Sequence, residues 1–367
     1  MKDLRFVDGP VDCTPEQANY DAQFLEILED HLRQRILKDE HQAAGYLLSH
    51  EGRVFAHRAV GNLRHDDSYT PFHHDSVHRI SAMTGVFTVV ACYQQVERGR
   101  LSLDDQLSRF LPELAGTALG SLTVGHLATH CSGVESFAMP WVAQHDHPVF
   151  QQLQDPAWLR QLALRNAEIR PGERLGYSPM ALSVLARIVE VVANRSFEDH
   201  VLSKIARSLG MIDTTFDVTG EARKTMCTIG AEPPIGTRGG APRGGSGLYS
   251  TLMDLHQLAN LFVPGSKHPS RSILSPASVA AMTRDHGPRA FVQPSARAQL
   301  QPLLAGWLSA REDLLHERCF GTEGWGWSSL HVDPDRQFVC IVFLPGKVEH
   351  HGSPTTAARA IAWAGLR

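Results

Sequence analysis

The sequence predicts a protein of mixed α and β structure, and three observations support this prediction. The stretch 79–88 joins a loop to an amphipathic helix that is predicted to run to about Arg98, and Gly99 suits a residue just past a helix end. Two strands, over 45–49 and 53–60, are separated by a short polar turn. Near the C-terminus, a second pair of predicted strands precedes a closing helix over 354–366.

The composition limits which classes of protein are possible. The chain has 367 residues, of which 43% are hydrophobic, so it can bury a large core. The net charge is −4 and no basic cluster occurs, which argues against a nucleic-acid partner. The N-terminus has no signal-peptide pattern, and no apolar run reaches the roughly 18 residues of a membrane span. We therefore expect a cytoplasmic protein without a membrane partner, and its oligomeric state stays open.

The six cysteines are scattered without the spacing of a metal site or a disulfide framework. Such scattering fits a reducing compartment and mostly buried thiols. We expect neither a metal nor a cofactor.

The remaining elements follow from local signals. Thr14-Pro15-Glu16-Gln17 has the residues of a capping box, and the apolar pattern predicts one helix from there to about Leu37. Thr251 and Asp254 indicate another helix start. The strand pair near the C-terminus is predicted over 328–332 and 337–344, joined by the turn 333–336.

Several longer motifs occur in a fixed order along the chain. The first is Arg79-Ile80-Ser81-Ala82-Met83-Thr84-Gly85-Val86-Phe87-Thr88, which joins a loop to the helix that runs to about Arg98. The others are Leu122-Thr123-Val124-Gly125-His126-Leu127-Ala128-Thr129-His130-Cys131-Ser132-Gly133, then Pro171-Gly172 with Tyr177-Ser178, then Leu209-Gly210-Met211-Ile212-Asp213-Thr214.

These motifs resemble the serine β-lactamase and penicillin-binding protein family, in its class C β-lactamase and esterase branch. The resemblance runs from about Ala44 to the C-terminus. It implies an α+β, β-lactamase/transpeptidase-like fold, in which helices flank an antiparallel sheet. It also implies a single unit over 1–367, with an α/β lobe from about 1–80 and 244–367 and an inserted, mostly helical lobe over about 81–243.

The polar side chains that serve the family's acyl-enzyme chemistry are largely missing. In that chemistry a serine attacks a carbonyl, a lysine and a tyrosine move its proton, and backbone N–H groups hold the oxyanion. The resemblance places Ala82 at the serine and Gly85 at the lysine, and Pro179 at the asparagine after Tyr177. The third motif, usually His-Thr-Gly or Lys-Thr-Gly, is Thr322-Glu323-Gly324. We therefore expect no serine-dependent hydrolysis.

Backbone donors do not depend on side-chain identity, so they survive these substitutions. The resemblance places the oxyanion-binding N–H groups on Ala82 and Trp325. Tyr177 and Glu323 are the acid–base candidates left at motif positions, and each needs environmental tuning to act near neutral pH. Smaller, less polar side chains in the motifs also predict a roomier cleft, lined in part by Gly85, Pro179, Thr322 and Gly324.

The leading hypothesis is an enzyme that acts on a carbonyl-containing small molecule without a covalent intermediate, in a cyclisation or another biosynthetic step. Two alternatives stay open: a catalytically inactive ligand- or partner-binding protein, and an esterase or amidase that uses an unexpected nucleophile such as Ser81 or Cys131. Tyr177 is equally compatible with a packing role, and Glu323 with a solvated carboxylate at a sheet edge.

Histidine-rich loops are weaker candidates. The stretch 65–78 and His145-Asp146-His147 contain metal-ligand residue types, but neither has a fixed helical spacing. Solvated loops explain both stretches. The resemblance also allows His145 and His147 to line the cleft.

Overall fold

The computed structural model describes residues 4–64, 69–134, 157–165, 170–172, 176–219, 225–228, 241–266, 273–284, 286, 301–302, 308–309, 315, 318–324, 326–346 and 354–367. Its main sheet is antiparallel and has the strand order β1-β3-β2-β10-β9-β8-β7-β6, while β4 and β5 pair separately. The strands are β1 Val7–Asp8, β2 Ala43–His50, β3 Arg53–Gly61, β4 His78–Arg79, β5 Tyr249–Ser250, β6 Gln301–Pro302, β7 Leu308–Ser309, β8 Phe320–Gly324, β9 Ser328–Asp333 and β10 Phe338–Phe343.

Helices lie on both faces of this sheet. They are α1 Gln23–Leu37, α2 Thr84–Val96, α3 Val124–Ala128, α4 Trp158–Arg165, α5 Pro179–Ala193, α6 Phe197–Val201, α7 Arg207–Leu209, α8 Leu252–Ala259, α9 Pro276–Met282 and α10 Thr356–Ala364. Short 3₁₀ turns join several of them, and a π-helical turn over Leu202–Ala206 lies between α6 and α7. The predicted helix that begins within 79–88 and runs to about Arg98 is confirmed within a few residues, and so are the strand pairs and the closing helix.

The alternation of side chains along the central strands sorts the core into two layers. In β10, Val339 and Ile341 belong to the cluster that contains α2 and α5. Their neighbours Cys340 and Val342 belong to the cluster that contains α1 and α10. A strand sends successive side chains to opposite faces, so each central strand contributes to both layers. The sheet is therefore covered on both sides.

The N-terminal helix is shorter than predicted. The capping box forms, because the Thr14 N–H donates to the Gln17 side chain at 3.0 Å and the Gln17 N–H donates to the Thr14 hydroxyl at 3.3 Å. It caps only a 3₁₀ turn, which ends at Asn19 in the left-handed conformation. Tyr20 then forms a β-bridge with Leu366, and α1 begins at Gln23. The prediction of one continuous helix was wrong because a contact with the C-terminus fixes this break.

No helix among the described residues is long and apolar enough to cross a membrane.

The turn between β2 and β3 contains an unfavourable residue. Glu51 and Gly52 both have positive φ angles, of 52° and 79°, as the tight turn of a two-residue hairpin requires. A non-glycine residue in this conformation is strained, and asparagine is tolerated best. We therefore expect Glu51→Asn to raise the free energy of unfolding by up to about 1 kcal/mol. Urea denaturation measures the change. Glu51→Val is the control and should destabilise; equal stability of the two variants would contradict the explanation.

Candidate active site

The turn that contains Ala82 is held from two sides. The Ile80 N–H donates to the Leu248 carbonyl at 3.0 Å. The Thr84 hydroxyl donates to the Ser81 carbonyl at 2.7 Å and accepts the Leu248 N–H at 3.2 Å. Ser81 has a φ of 45°, the left-handed region that non-glycine residues rarely adopt. This conformation turns the chain directly before Ala82.

Ala82 is half-buried, whereas Ser81 and Met83 on either side are buried. It lies in the first turn of the helical segment, where backbone N–H groups have no acceptor within the helix. Because aligned peptide dipoles also leave the start of a helix partly positive, this N–H suits an oxygen that carries negative charge. Ala82 thus offers a backbone donor at a partly open position.

The end of β8 lies directly against this turn. A Cβ atom added to Gly324 would overlap the carbonyl oxygen of Ile80 and lie 2.6 Å from the Ser328 hydroxyl oxygen. Only glycine permits such an approach of two backbones. The structure therefore brings the third motif beside the first, as the resemblance implies.

The next part of the site is the start of α5. Ser178 is its N-cap and accepts the Ala181 N–H at 3.1 Å, and Pro179 is its first residue. Proline suits this position because its fixed φ matches the helix and the missing N–H would lack a partner there. A Cβ on Gly245 would lie 2.6 Å from the Pro179 carbonyl oxygen. Pro179 thus has a structural function in addition to its predicted place in the pocket.

Tyr177 immediately precedes this helix start and is partly buried. Its ring lies against that of His130, with the ring centroids 4.9 Å apart and the planes inclined by 52°. The Gly176 N–H also donates to the His130 carbonyl at 2.8 Å. Burial raises the pKa of the Tyr177 phenol, so the hydroxyl keeps its proton at neutral pH.

His130 was not singled out by the sequence analysis, although it belongs to the second motif. It is 1% exposed, and neither ring nitrogen has a hydrogen-bond partner within the described residues. Burial lowers the pKa of its imidazole to about 4, so the ring is neutral at pH 7. Its φ is 54°, a second left-handed non-glycine residue close to the cleft. A histidine without the usual spacing of a ligand or catalytic pair gives no sequence signal.

The space beside Gly85 is filled. A Cβ atom at this position would lie 2.7 Å from Cδ1 of Leu182, which is fully buried on α5. The expected roomier cleft is therefore absent at this point, because an apolar side chain from the neighbouring helix occupies the volume. The sequence could not show this compensation, since Leu182 lies 97 positions away along the chain.

Glu323 was expected to supply acid–base chemistry, and the structure corrects this expectation. Its carboxylate accepts hydrogen bonds from the Thr355 hydroxyl at 2.5 Å and from the Arg359 guanidinium. Both partners belong to the start of α10, on the sheet face opposite α2. Because successive side chains of a strand alternate, Glu323 points away from the face on which Gly324 meets Ile80. Its carboxylate is therefore held on the side of the sheet away from Ala82.

The remaining predicted residues are placed as follows. Thr322 is buried and shares the face of Gly324 by strand alternation. Trp325, His145 and His147 lie outside the described residues, and so does part of the histidine-rich stretch 65–78. In the part of the chain that the structure describes, no group of three or more His, Cys, Asp or Glu side chains could hold a metal ion.

Together, this sheet and the helical turn beside β8 define a fold of the penicillin-binding protein and class C β-lactamase type. A penicillin-binding protein homologue from Pyrococcus abyssi, an octamer, superimposes with a TM-score of 0.75 at 19% identity, over 93% of this chain and 77% of that one. A family model described as Beta-lactamase matches residues 28–362. The chain therefore belongs to the Beta-lactamase family.

Curated relatives are matched over part of their length. Protein Rv1367c of Mycobacterium tuberculosis is 29% identical over 249 residues, which are 60% of this chain and 62% of that protein. The D-alanyl-D-alanine-carboxypeptidase/endopeptidase AmpH of Escherichia coli is 31% identical over 209 residues, which are 55% of this chain and 52% of that protein. The chain thus spans about half to six tenths of the length of these relatives.

The contact between Gly85 and Leu182 predicts an energetic coupling. Gly85→Ala should raise the free energy of unfolding by less than the roughly 1 kcal/mol that alanine usually contributes within a helix, because its methyl group contacts Leu182. Leu182→Ala alone should lower the free energy of unfolding by about 2–5 kcal/mol. In the Leu182→Ala background, Gly85→Ala should become stabilising, with a coupling of about 0.5–3 kcal/mol by urea denaturation. Leu185→Ala is the control, because no such contact joins this buried leucine to Gly85; additive effects in the Gly85/Leu182 pair would contradict the assignment.

His130 predicts a pH dependence of stability. Between pH 6.5 and about 4, the unfolded chain binds a proton at this imidazole that the folded protein does not. The free energy of unfolding should therefore fall as the pH falls through this window, by up to about 1.4 kcal/mol per pH unit from His130 alone. His130→Phe keeps the ring but removes the titration, so its slope should be shallower than that of the wild type.

The control for this experiment is His73→Gln. His73 is exposed, so this change removes a histidine without altering a buried side chain. A His130→Phe slope equal to that of the wild type, measured by urea denaturation at pH 4.5 to 6.5, would refute the assignment.

Proposed function

We propose that this protein binds a neutral, carbonyl-containing small molecule and polarises the carbonyl without forming an acyl-enzyme. The observation that carries the proposal is the partly open Ala82, whose N–H lies in a helical first turn against the end of β8. An ester, lactone, ketone or amide oxygen would accept a hydrogen bond from this N–H. In enzymes that use such donors, one of them is worth about 2.7–4 kcal/mol.

The side chains support non-covalent chemistry. Ala82 has no nucleophilic atom. Ser81 and Cys131 are only 6% and 3% exposed, so neither is presented as a replacement. The neighbouring Gly85 brings no ammonium group, and Leu182 makes this part of the wall apolar. A neutral acyl group suits such surroundings better than a charged one, because burying an unpaired charge is costly.

Tyr177 determines which reactions are compatible with the cleft. Since burial raises the pKa of its phenol, the group stays protonated near pH 7, where it can donate a hydrogen bond but cannot act as a base. Donation to a carbonyl or to a leaving group would assist an isomerisation, elimination or cyclisation. Glu323 takes no part in this step because Thr355 and Arg359 hold its carboxylate.

A second function, ligand binding without turnover, is favoured by the same two observations. With Tyr177 protonated and Glu323 ion-paired, neither acid–base residue of the motifs is available as a base. Saturable binding of a neutral carbonyl compound that is recovered unchanged would support this second function. A product whose formation is lost in Tyr177→Phe would support the enzyme. The name of AmpH denotes an enzyme that acts on amide carbonyls. A carbonyl-binding site in this chain is compatible with both the enzymatic function and ligand binding without turnover.

A cysteine at position 82 tests whether the backbone polarises a carbonyl. In Ala82→Cys the thiolate attacks the carbonyl of p-nitrophenyl acetate, a thioester forms and p-nitrophenolate leaves. The six native cysteines are buried, which limits their background reaction. We expect acylation at least about 100-fold faster per thiolate than in a comparable variant without an oxyanion donor. Absorbance of p-nitrophenolate gives the rate, and a thiol titration gives the thiolate fraction.

Ala277→Cys is the matched comparison, because Ala277 is an exposed alanine in the first turn of α9. It reproduces the electrostatic effect of a helix start on a thiol without the approach of a strand. Equal rates per thiolate at positions 82 and 277 would refute a carbonyl-polarising site.

A further inference from the structure

The site end of β8 is held by β9 on one side. Thr322, Glu323 and Gly324 pair with residues 328–330 of that strand. Gly324 also approaches the Ile80 carbonyl so closely that no Cβ atom fits. A contact that holds this end of β8 from the other face of the sheet therefore also fixes its approach to Ile80.

Arg359 supplies a connection on the opposite face. Its guanidinium donates to the Glu323 carboxylate, to the Thr355 hydroxyl at 3.2 Å and to the Thr356 hydroxyl at 3.2 Å. The Arg359 side chain is 7% exposed and that of Glu323 is 28% exposed. A charge-assisted contact shielded from water is stronger and more directional than one on the surface. Glu323 is thereby attached to α10.

The helix that carries Arg359 is itself firmly anchored. Ala358, Ala362 and Trp363 are buried in the cluster that also contains α1 and β10. The Trp363 indole N–H donates to the Asp333 carboxylate at 3.3 Å, at the end of β9 remote from the site. This helix thus holds β8 through Glu323, the residue directly before Gly324.

We propose that Arg359 is a positioning residue for the cleft, which acts through Glu323 to keep the end of β8 against the turn that contains Ala82. This inference rests on the proposed function, because it concerns the geometry of the same carbonyl-binding site. Arg359 contacts no ligand in this account. Its effect is to fix where the strand lies, and a displacement of about 1 Å in a site can lower a rate by about 100-fold.

The acylation of Ala82→Cys by p-nitrophenyl acetate provides the test. In that background, Arg359→Met should lower the rate per thiolate by at least about tenfold, since the strand loses its connection to α10. Arg359→Lys, which keeps a charge but not the planar fork, should restore part of the rate. If Arg359→Met does not fold, Glu323→Gln provides the same test. It removes the charge of the partner while it preserves the shape, and it should also lower the acylation rate per thiolate.

Trp363→Phe is the control, because it removes a polar contact of the same helix at the far end of β9. Its rate should stay within about twofold of the Ala82→Cys parent, even if its stability falls. An equal loss in Trp363→Phe, or no loss in Arg359→Met and Glu323→Gln, would overturn the proposal. Fast acylation that is insensitive to Arg359 would reject the positioning inference alone, whereas slow acylation with Arg359 intact would reject the proposed function.

Amide hydrogen exchange tests the positioning independently of any ligand. In the otherwise unmodified chain, Arg359→Met should accelerate exchange at Thr322, Glu323 and Gly324, whereas Trp363→Phe should not. Unchanged exchange at these amides in Arg359→Met would contradict the inference.

Discussion

The approach of Gly324 to the Ile80 carbonyl joins the sheet to the helical part of the site. No other residue type fits at position 324, because a Cβ atom would overlap the Ile80 carbonyl oxygen. This contact places the first turn before α2 beside β8, and with it the partly open Ala82. The hydrogen bonds of Ile80 and Thr84 to Leu248 hold the turn from the other side. The contacts that shape this turn are thus made mainly by backbone atoms.

Residues at several motif positions have packing functions in this structure. Leu182 occupies the volume beside Gly85, and Pro179 begins α5 in the position that suits proline best. In the third motif, Glu323 forms an ion pair with Arg359. Each of these contacts stabilises the fold.

Local signals in the sequence predicted local structure well. The capping hydrogen bonds of Thr14, Gln17 and Thr251 form as predicted. The hairpins and the closing helix also form as predicted. All of these features depend on neighbours within a few positions of the sequence. The predictions failed where a residue distant in the sequence determines the local structure. Asn19 ends the first turn because Tyr20 meets Leu366, and the orientation of Glu323 depends on a partner 36 positions away. His130 gave no signal because its environment is made by burial and by a ring from another motif.

Whether the Ala82 N–H binds a carbonyl oxygen can be read from the amide resonance of Ala82 during a titration of the unmodified protein with a neutral ester such as phenyl acetate, together with the intact mass of the protein. We expect a saturable downfield shift of the Ala82 N–H, because the carbonyl oxygen accepts its hydrogen bond, and an unchanged protein mass. An Ala82 resonance that does not respond while other amides of the cleft do, or a covalent acyl adduct, would refute a carbonyl-polarising site without an acyl-enzyme.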